Sequence, residues 1–205
     1  GVFCGVTWKG DWPLTDEMLP GTYEESAKKY SHPARRSQSM LGRFALSELK
    51  SRAGQAAAEM SFSISHSGRT AVAVGFEDEE CGVDLELGAD QGHSIRVVRR
   101  FVSEAEDRLL EDQRLSPWAL WCAKESLGKA VGTGLKAPLS QYELRSLDLG
   151  VMAFNRFPGY RAAGWDLRRG GEQSAHLAIC LPACDSDAAT AALRRIAVRD
   201  WFTGL

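Results

Sequence analysis

Between Trp118 and Val131 apolar residues recur at helical spacing. Leu120, Ala123, Leu127, Ala130 and Val131 form one stripe, and Glu125, Gly128, Lys129 and Gly132 fall on a neighbouring face. Ser116 and Pro117, just ahead, supply an N-cap and a first-turn proline. The same period over Ala34 to Arg52 gives a long helix burying Met40, Leu41, Phe44, Ala45 and Leu49. Shorter helices are predicted over Tyr23 to Tyr30, Ser94 to Arg100 and Ser103 to Gln113, the last with Ser103 as N-cap and Glu106 at the capping-box position.

Alternation of period two marks the strands. Val83, Leu85 and Leu87 alternate with Asp84 and Glu86, so one face enters the core while both carboxylates share the other. Ser61 to Ser65, Ala71 to Phe76, Gln141 to Leu147, Tyr160 to Leu167 and Ser174 to Leu181 read as further strands, and Gly1 to Trp12 as an edge strand. Ser65 to Arg69 reads as a turn, Ala53 to Glu59 as a surface loop and the acidic run Glu77 to Glu80 as a solvated hairpin loop. The tail from Asp187 to Asp200 fits helix and strand equally. Each half of the chain thus shows a helix followed by three strands, a repeat of order without repeated sequence.

Composition narrows the class. A chain of 205 residues, 44% of them hydrophobic, can bury a core as an α+β protein. A formal net charge of -2 gives no general attraction to nucleic acid. No apolar run reaches the roughly 20 residues of a membrane span, and the opening segment lacks the pattern of a signal peptide, so a cytoplasmic protein is expected. The five scattered cysteines read as free thiols. His176, Cys180 and Cys184 do not make a convincing metal site, since the first two lie in a strand-like run and there are only three candidates.

The chemistry gathers in three blocks. Asp84 and Glu86 repel each other on one strand face, and a divalent cation would relieve that repulsion while supplying a Lewis acid. All-oxygen ligands favour magnesium or manganese over zinc. Glu125 and Lys129 place an acid and an amine one helical turn apart, and Ser65, His66 and Ser67 offer donors to phosphate oxygens. Arg36 and Arg43, seven apart on one helix face, are candidate partners for further phosphates. Arg96, Arg99 and Arg100 form a basic patch suited to an acidic protein partner. The residues by themselves point to metal-assisted phosphoryl or nucleotidyl transfer.

Phe62-Ser63-Ile64-Ser65-His66-Ser67-Gly68, then Gly82-Val83-Asp84-Leu85-Glu86, then Trp121-Cys122-Ala123-Lys124-Glu125-Ser126-Leu127-Gly128-Lys129 with Gly132-Thr133-Gly134-Leu135 after it, resemble in order and spacing the 4'-phosphopantetheinyl transferases. The likeness is to the single-chain bacterial type that activates nonribosomal peptide and siderophore synthetases. It implies a monomeric pseudo-dimer of two similar lobes, residues 1–81 and 82–205, each a long helix packed on a small antiparallel sheet, with the active site in the cleft between them. It implies coenzyme A as substrate and an apo carrier protein, acyl, peptidyl or aryl, as acceptor, with no nucleic acid or membrane partner. Carried over residue by residue, magnesium (or manganese) falls to Asp84, Glu86 and Glu125. Glu125 also becomes the general base, and Lys129 stabilises or protonates the leaving phosphate. Ser65, His66 and Lys124 would hold phosphates, with Arg36 and Arg43 toward the nucleotide. Two departures stand out: a G-K-P sequence common in relatives is missing between Ala53 and Glu59, and a position that is basic in some relatives is Gln38. A magnesium-dependent nucleotidyltransferase or phosphohydrolase, and a non-catalytic coenzyme A binding module, remain the alternatives.

Overall fold

The computed structural model describes residues 2–9, 31–68, 70–77, 80–88, 93–134, 138–169, 173–183 and 186–196. The expected helix from Tyr23 to Tyr30 and the tail beyond Ile196 lie outside them. The described chain is α+β, with helices packed on antiparallel sheets.

The first sheet holds β1 (Val2–Lys9), β2 (Met60–Ser67) and β3 (Thr70–Glu77) in the order β1-β3-β2, so β1 is an edge as expected. The first helix, α1 (Pro33–Ala53), covers one face of this sheet: Leu41, Ala45 and Leu49 pack against Ala71 and Ala73, with Phe62 and Ile64 beside them. The helix and sheet approach closely at Gly42, where a Cβ would lie 2.8 Å from Ile64 Cγ2. A glycine inside a helix costs about 1 kcal/mol relative to alanine, and here it admits the strand. The segment expected to be a loop after α1 is a short 3-10 turn, Gly54–Glu59.

The second sheet has the order β4-β8-β7-β6-β5, from β4 (Gly82–Leu87), β5 (Leu144–Asp148), β6 (Val151–Phe154), β7 (Tyr160–Arg169) and β8 (Gln173–Pro182). Two expectations are corrected here. The acidic run after β3 closes no hairpin, because β4 pairs with β8, with Asp84 opposite Ala178 and Glu86 opposite His176. The third strand of the first half therefore joins the second sheet. The four-residue β6 is an additional strand, buried along its whole length.

One face of the second sheet, with Val83, Leu85, Leu177 and Ile179, meets Val72 and Val74 from the other face of the first sheet. Leu193 of α5 (Ser186–Arg195) joins that core, which resolves the start of the tail as helix. The opposite face carries α4 (Pro117–Ala130), whose Leu120, Ala123 and Leu127 share a core with Met152, Phe154, Ala178 and Cys180. Two shorter helices precede α4: α2 (His93–Arg99) and α3 (Glu104–Gln113). The full capping box of Ser103 and Glu106 opens α3, and Ser116 caps α4 through Ala119 N. Among the described residues no helix is long and apolar enough to cross a membrane.

Candidate active site

The edge of β4 that faces away from β8 organises the site, and Gly82 brings it against α4. A Cβ on Gly82 would overlap the Ser126 carbonyl oxygen and come within 3.0 Å of Ala130 N. Only a residue without a side chain allows this approach, which sets β4 alongside the last two turns of α4. Lys129 reaches across that contact: its Nζ donates to Asp84 Oδ1 at 2.8 Å and to the Val83 carbonyl at 2.8 Å. Asp84 is 6% exposed, and its second oxygen, Oδ2, is buried without a hydrogen-bond partner. A buried carboxylate oxygen left unpaired is costly.

β2 closes the other side through a row of serines. The edge N–H groups of Val83, Leu85 and Leu87 donate to the hydroxyls of Ser63, Ser65 and Ser67 at 3.0, 3.1 and 3.1 Å. Ser65 in turn donates to Asp84 Oδ1 at 2.9 Å, and Ser67 to Glu86 Oε2 at 3.0 Å. The expected turn at Ser65 is therefore corrected: Ser65, His66 and Ser67 lie within β2, and the chain reverses at Gly68, in the left-handed region at φ 55. Ser65 is buried, and its hydroxyl serves β4.

His66 alternates to the α1 side, where a Cβ on Gly42 would lie 3.7 Å from its ring. Partial desolvation lowers its pKa; Lys129 pushes the same way, while its own backbone hydrogen bond and Asp84 oppose the shift. Gln38 of α1 donates to the Gly68 carbonyl at 3.4 Å, so this stretch of helix borders the end of β2. Arg36 lies exposed on α1 and Arg43, next to Gly42, is partly exposed.

Glu86 and Glu125 are half-buried and feel the same field. Desolvation raises the Glu86 carboxyl above its ordinary range, with repulsion from Asp84 adding to it. Desolvation likewise raises Glu125; Asp84 and Glu86 repel its charge and Lys129 partly offsets them. Asp84, Glu86, Glu125, Lys129 and His66 thus form one electrostatic group at the β4 edge.

Lys124 stands apart from this group. Its side chain is 2% exposed, with Nζ 2.8 Å from Glu106 Oε1, 3.1 Å from Glu106 Oε2 and 3.0 Å from the Phe101 carbonyl. Glu106 also accepts from Leu144 N and Ser103 N. Phosphate contact by Lys124 is corrected to a structural role: its ammonium joins α4 to the start of α3, with its donors consumed inside the protein.

Sequence reasoning missed the positional roles of Gly82 and Ser67, and a clamp at the head of α4. Asp166 of β7 accepts from Ser116 N and Ser116 Oγ, both at 2.6 Å, and lies 2.6 Å from His176 Nδ1. Desolvation opposes ionisation of Asp166, but the hydrogen bonds with His176 and Ser116 outweigh it and hold its pKa below the usual value. His176 therefore belongs to this clamp. The alternation of Ser61, Ser63, Ser65 and Ser67 was the available signal for the row on β2.

The group fits a divalent cation by its chemistry. The donors are carboxylate oxygens, and Asp84 Oδ2 is a buried acceptor without a hydrogen bond of full geometry, with the buried Cys122 thiol as its side-chain neighbour. Among the described residues no three acidic, histidine or cysteine side chains stand close enough together to hold a metal ion, so Asp84, Glu86 and Glu125 would have to draw together around one. The arrangement is one of paired carboxylates, a neighbouring base and an amine, suited to anionic phosphate chemistry once a cation offsets the negative charge.

Residues 80–180 match the 4'-phosphopantetheinyl transferase superfamily. The span includes Asp84, Glu86, Glu125 and Lys129, and excludes α1 and β2. The chain is 35% identical over 89 residues to the 4'-phosphopantetheinyl transferase Sfp of Bacillus subtilis (strain 168), covering 41% of this chain and 38% of that protein. It is 35% identical over 107 residues to a 4'-phosphopantetheinyl transferase of Bacillus subtilis, covering 50% of this chain and 46% of that protein. The chain therefore spans less than half the length of either relative.

Proposed function

We propose, from the match of residues 80–180 to the 4'-phosphopantetheinyl transferase superfamily, that this protein moves the phosphopantetheine arm of coenzyme A onto a serine of an apo carrier protein. Adenosine 3',5'-bisphosphate is the other product. The observation that carries the reading is the β4 edge within that span: Lys129 is bonded to one oxygen of Asp84 while the other is buried and unpartnered.

Asp84 and Glu86, with Glu125 across from them, would hold magnesium or manganese. Such an ion, when bound, neutralises the diphosphate and polarises the phosphorus under attack. The chain's own residues do the rest. Glu125, its basicity raised by desolvation and by its acidic neighbours, takes the proton of the carrier serine. The serine oxygen forms a bond to the phosphorus that carries the pantetheine arm, and the bond from that phosphorus to the bridging oxygen breaks. Lys129 stabilises or protonates the departing phosphate. His66, with Arg36 and Arg43 on the neighbouring helix, supplies contacts toward the nucleotide end. Ser65 contributes through Asp84, the acceptor of its hydroxyl proton.

The proposal extends to a monomeric, cytoplasmic protein of the single-chain bacterial type serving peptide, polyketide or siderophore assembly. Residues 1–81 and 82–205 form its two lobes, and the site lies in the cleft between them; the change of sheet between β3 and β4 supports that division. The exposed arginines of α2 and its end, Arg96, Arg99 and Arg100, would steer an acidic carrier.

The test is product release. Adenosine 3',5'-bisphosphate should accumulate from coenzyme A only when an apo carrier and a divalent cation are both present. Release that is indifferent to the carrier would instead indicate a phosphohydrolase.

A further inference from the structure

Resting on that reading of the site, we infer that Ser65 and Ser67 are positioning residues that aim the Asp84 and Glu86 carboxylates at the cation. The unit is repeated. The N–H of Leu85 donates to Ser65 Oγ, which donates to the carboxylate of the preceding residue, Asp84; the N–H of Leu87 donates to Ser67 Oγ, which donates to Glu86. The sequence pattern produces the repeat, because residues two apart on β2 and two apart on β4 present the same face and edge in register.

The first member of the row separates the two jobs a serine does here. Ser63 accepts from Val83 N in the same way, but the residue before Val83 is Gly82, which has no side chain to hold. Ser63 therefore only joins the strands, whereas Ser65 and Ser67 join the strands and orient a carboxylate.

At Asp84 the result is specific. Ser65 and Lys129 both engage Oδ1, leaving Oδ2 as the buried, unpartnered atom. Two donors on one oxygen fix the rotation of the carboxylate and so the direction in which its second oxygen points. Hydrogen bonds to metal-ligating carboxylates from outside the ligand set act in this way, and their loss typically weakens metal affinity about 10- to 100-fold. The serine row also makes the arrangement conditional on the contact between the sheets, since the hydroxyls come from β2 and the carboxylates from β4.

The experiment measures Mn²⁺ binding to the full chain by electron paramagnetic resonance, with coenzyme A present and no carrier protein. Ser65→Ala and Ser67→Ala should each weaken Mn²⁺ binding about 10-fold or more. Ser63→Ala should bind it as the wild type does, even if its melting temperature falls as far. Ser67→Thr, which keeps the hydroxyl, should restore affinity. Should Ser65→Ala fail to fold, the half-buried Ser67 pair of variants decides the matter. Wild-type Mn²⁺ affinity in Ser67→Ala would overturn the positioning role and leave the cation site standing. Absence of Mn²⁺ binding by the wild type would overturn the cation site itself, and this inference with it.

Discussion

Lys129 Nζ lies 2.8 Å from Asp84 Oδ1 and 2.8 Å from the carbonyl of Val83, so one side chain near the end of α4 holds both a carboxylate and a backbone carbonyl of β4. The pairing depends on how closely strand and helix approach, and that depends on Gly82.

Gly82→Ala should therefore disrupt the site from its base. The added methyl meets backbone on α4, at the Ser126 carbonyl and Ala130 N, which cannot rotate away as a side chain could. Forcing extra carbon into a packed contact costs about 1–3 kcal/mol, sometimes more. The expected result is a lower denaturation midpoint and a loss of transfer beyond what the unfolded fraction explains. Chemical denaturation beside an activity assay on the folded protein measures both.

Glu125→Gln should act in opposite directions on activity and stability. Removal of a general base typically costs about 100- to 10,000-fold in rate, while coenzyme A binding should be largely retained. Burial and its acidic neighbours raise the Glu125 carboxyl above its ordinary 4.5. A carboxyl with a raised folded pKa holds its proton more tightly when folded, so its contribution to stability falls as pH rises above about 4.5. The uncharged variant escapes that loss. In chelator at neutral pH it should melt at a higher temperature than the wild type, with the difference shrinking as pH is lowered toward 4.5. A lower melting temperature for the variant would show that the Glu125 charge is structural.

Lys124→Met should have the reverse profile. Removing one member of a buried ion pair leaves the other charge stranded, at a cost of about 3–5 kcal/mol; here Glu106 would be left inside the protein. Stability should fall sharply, while the coenzyme A dissociation constant of the folded protein stays within about twofold. Calorimetric titration well below the melting temperature gives that constant. A tenfold rise would return Lys124 to the phosphate site.

Arg99→Glu with Arg100→Glu probes the proposed carrier surface. Both arginines are exposed, and the ion pair of Arg99 with Asp107 at 3.9 Å is of the surface kind worth about 0–1 kcal/mol. Stability should hardly change. The KM for an acidic carrier should rise several-fold and become less sensitive to salt, with the KM for coenzyme A unchanged.

Much of this arrangement was legible in the sequence, because its signals are local. The capping box of Ser103 and Glu106, the Ser116-Pro117 start of α4 and the alternation of Val83 and Leu85 with Asp84 and Glu86 each depend on neighbours within one element. What was missed depends on partners distant in the chain. Ser65, His66 and Ser67 read as a turn because they are polar and precede a glycine. They extend β2 because their backbone pairs with Val72, Ala71 and Thr70 of β3, and the two serine hydroxyls accept from the N–H groups of β4, 20 residues on. Phosphate contact by Lys124 is what the family resemblance implies, and nothing within a helical turn announces Glu106, 18 residues earlier, as its partner. The strand β6 leaves no signal in the sequence, because a four-residue segment buried on both faces shows no alternation. The crossing of β4 into the second sheet could not be read from the acidic run before it, since a solvated loop serves a hairpin and a crossover equally well.

Transfer itself is read by intact-mass spectrometry of an apo carrier protein after incubation with this protein, coenzyme A and magnesium, with a chelator control and the Glu125→Gln variant alongside. The wild type should add one phosphopantetheine mass to the carrier, and this should be lost with chelator and nearly lost in the variant. An unmodified carrier, across acyl, peptidyl and aryl types and despite measurable coenzyme A binding, would contradict the transferase reading and leave a coenzyme-binding module in its place.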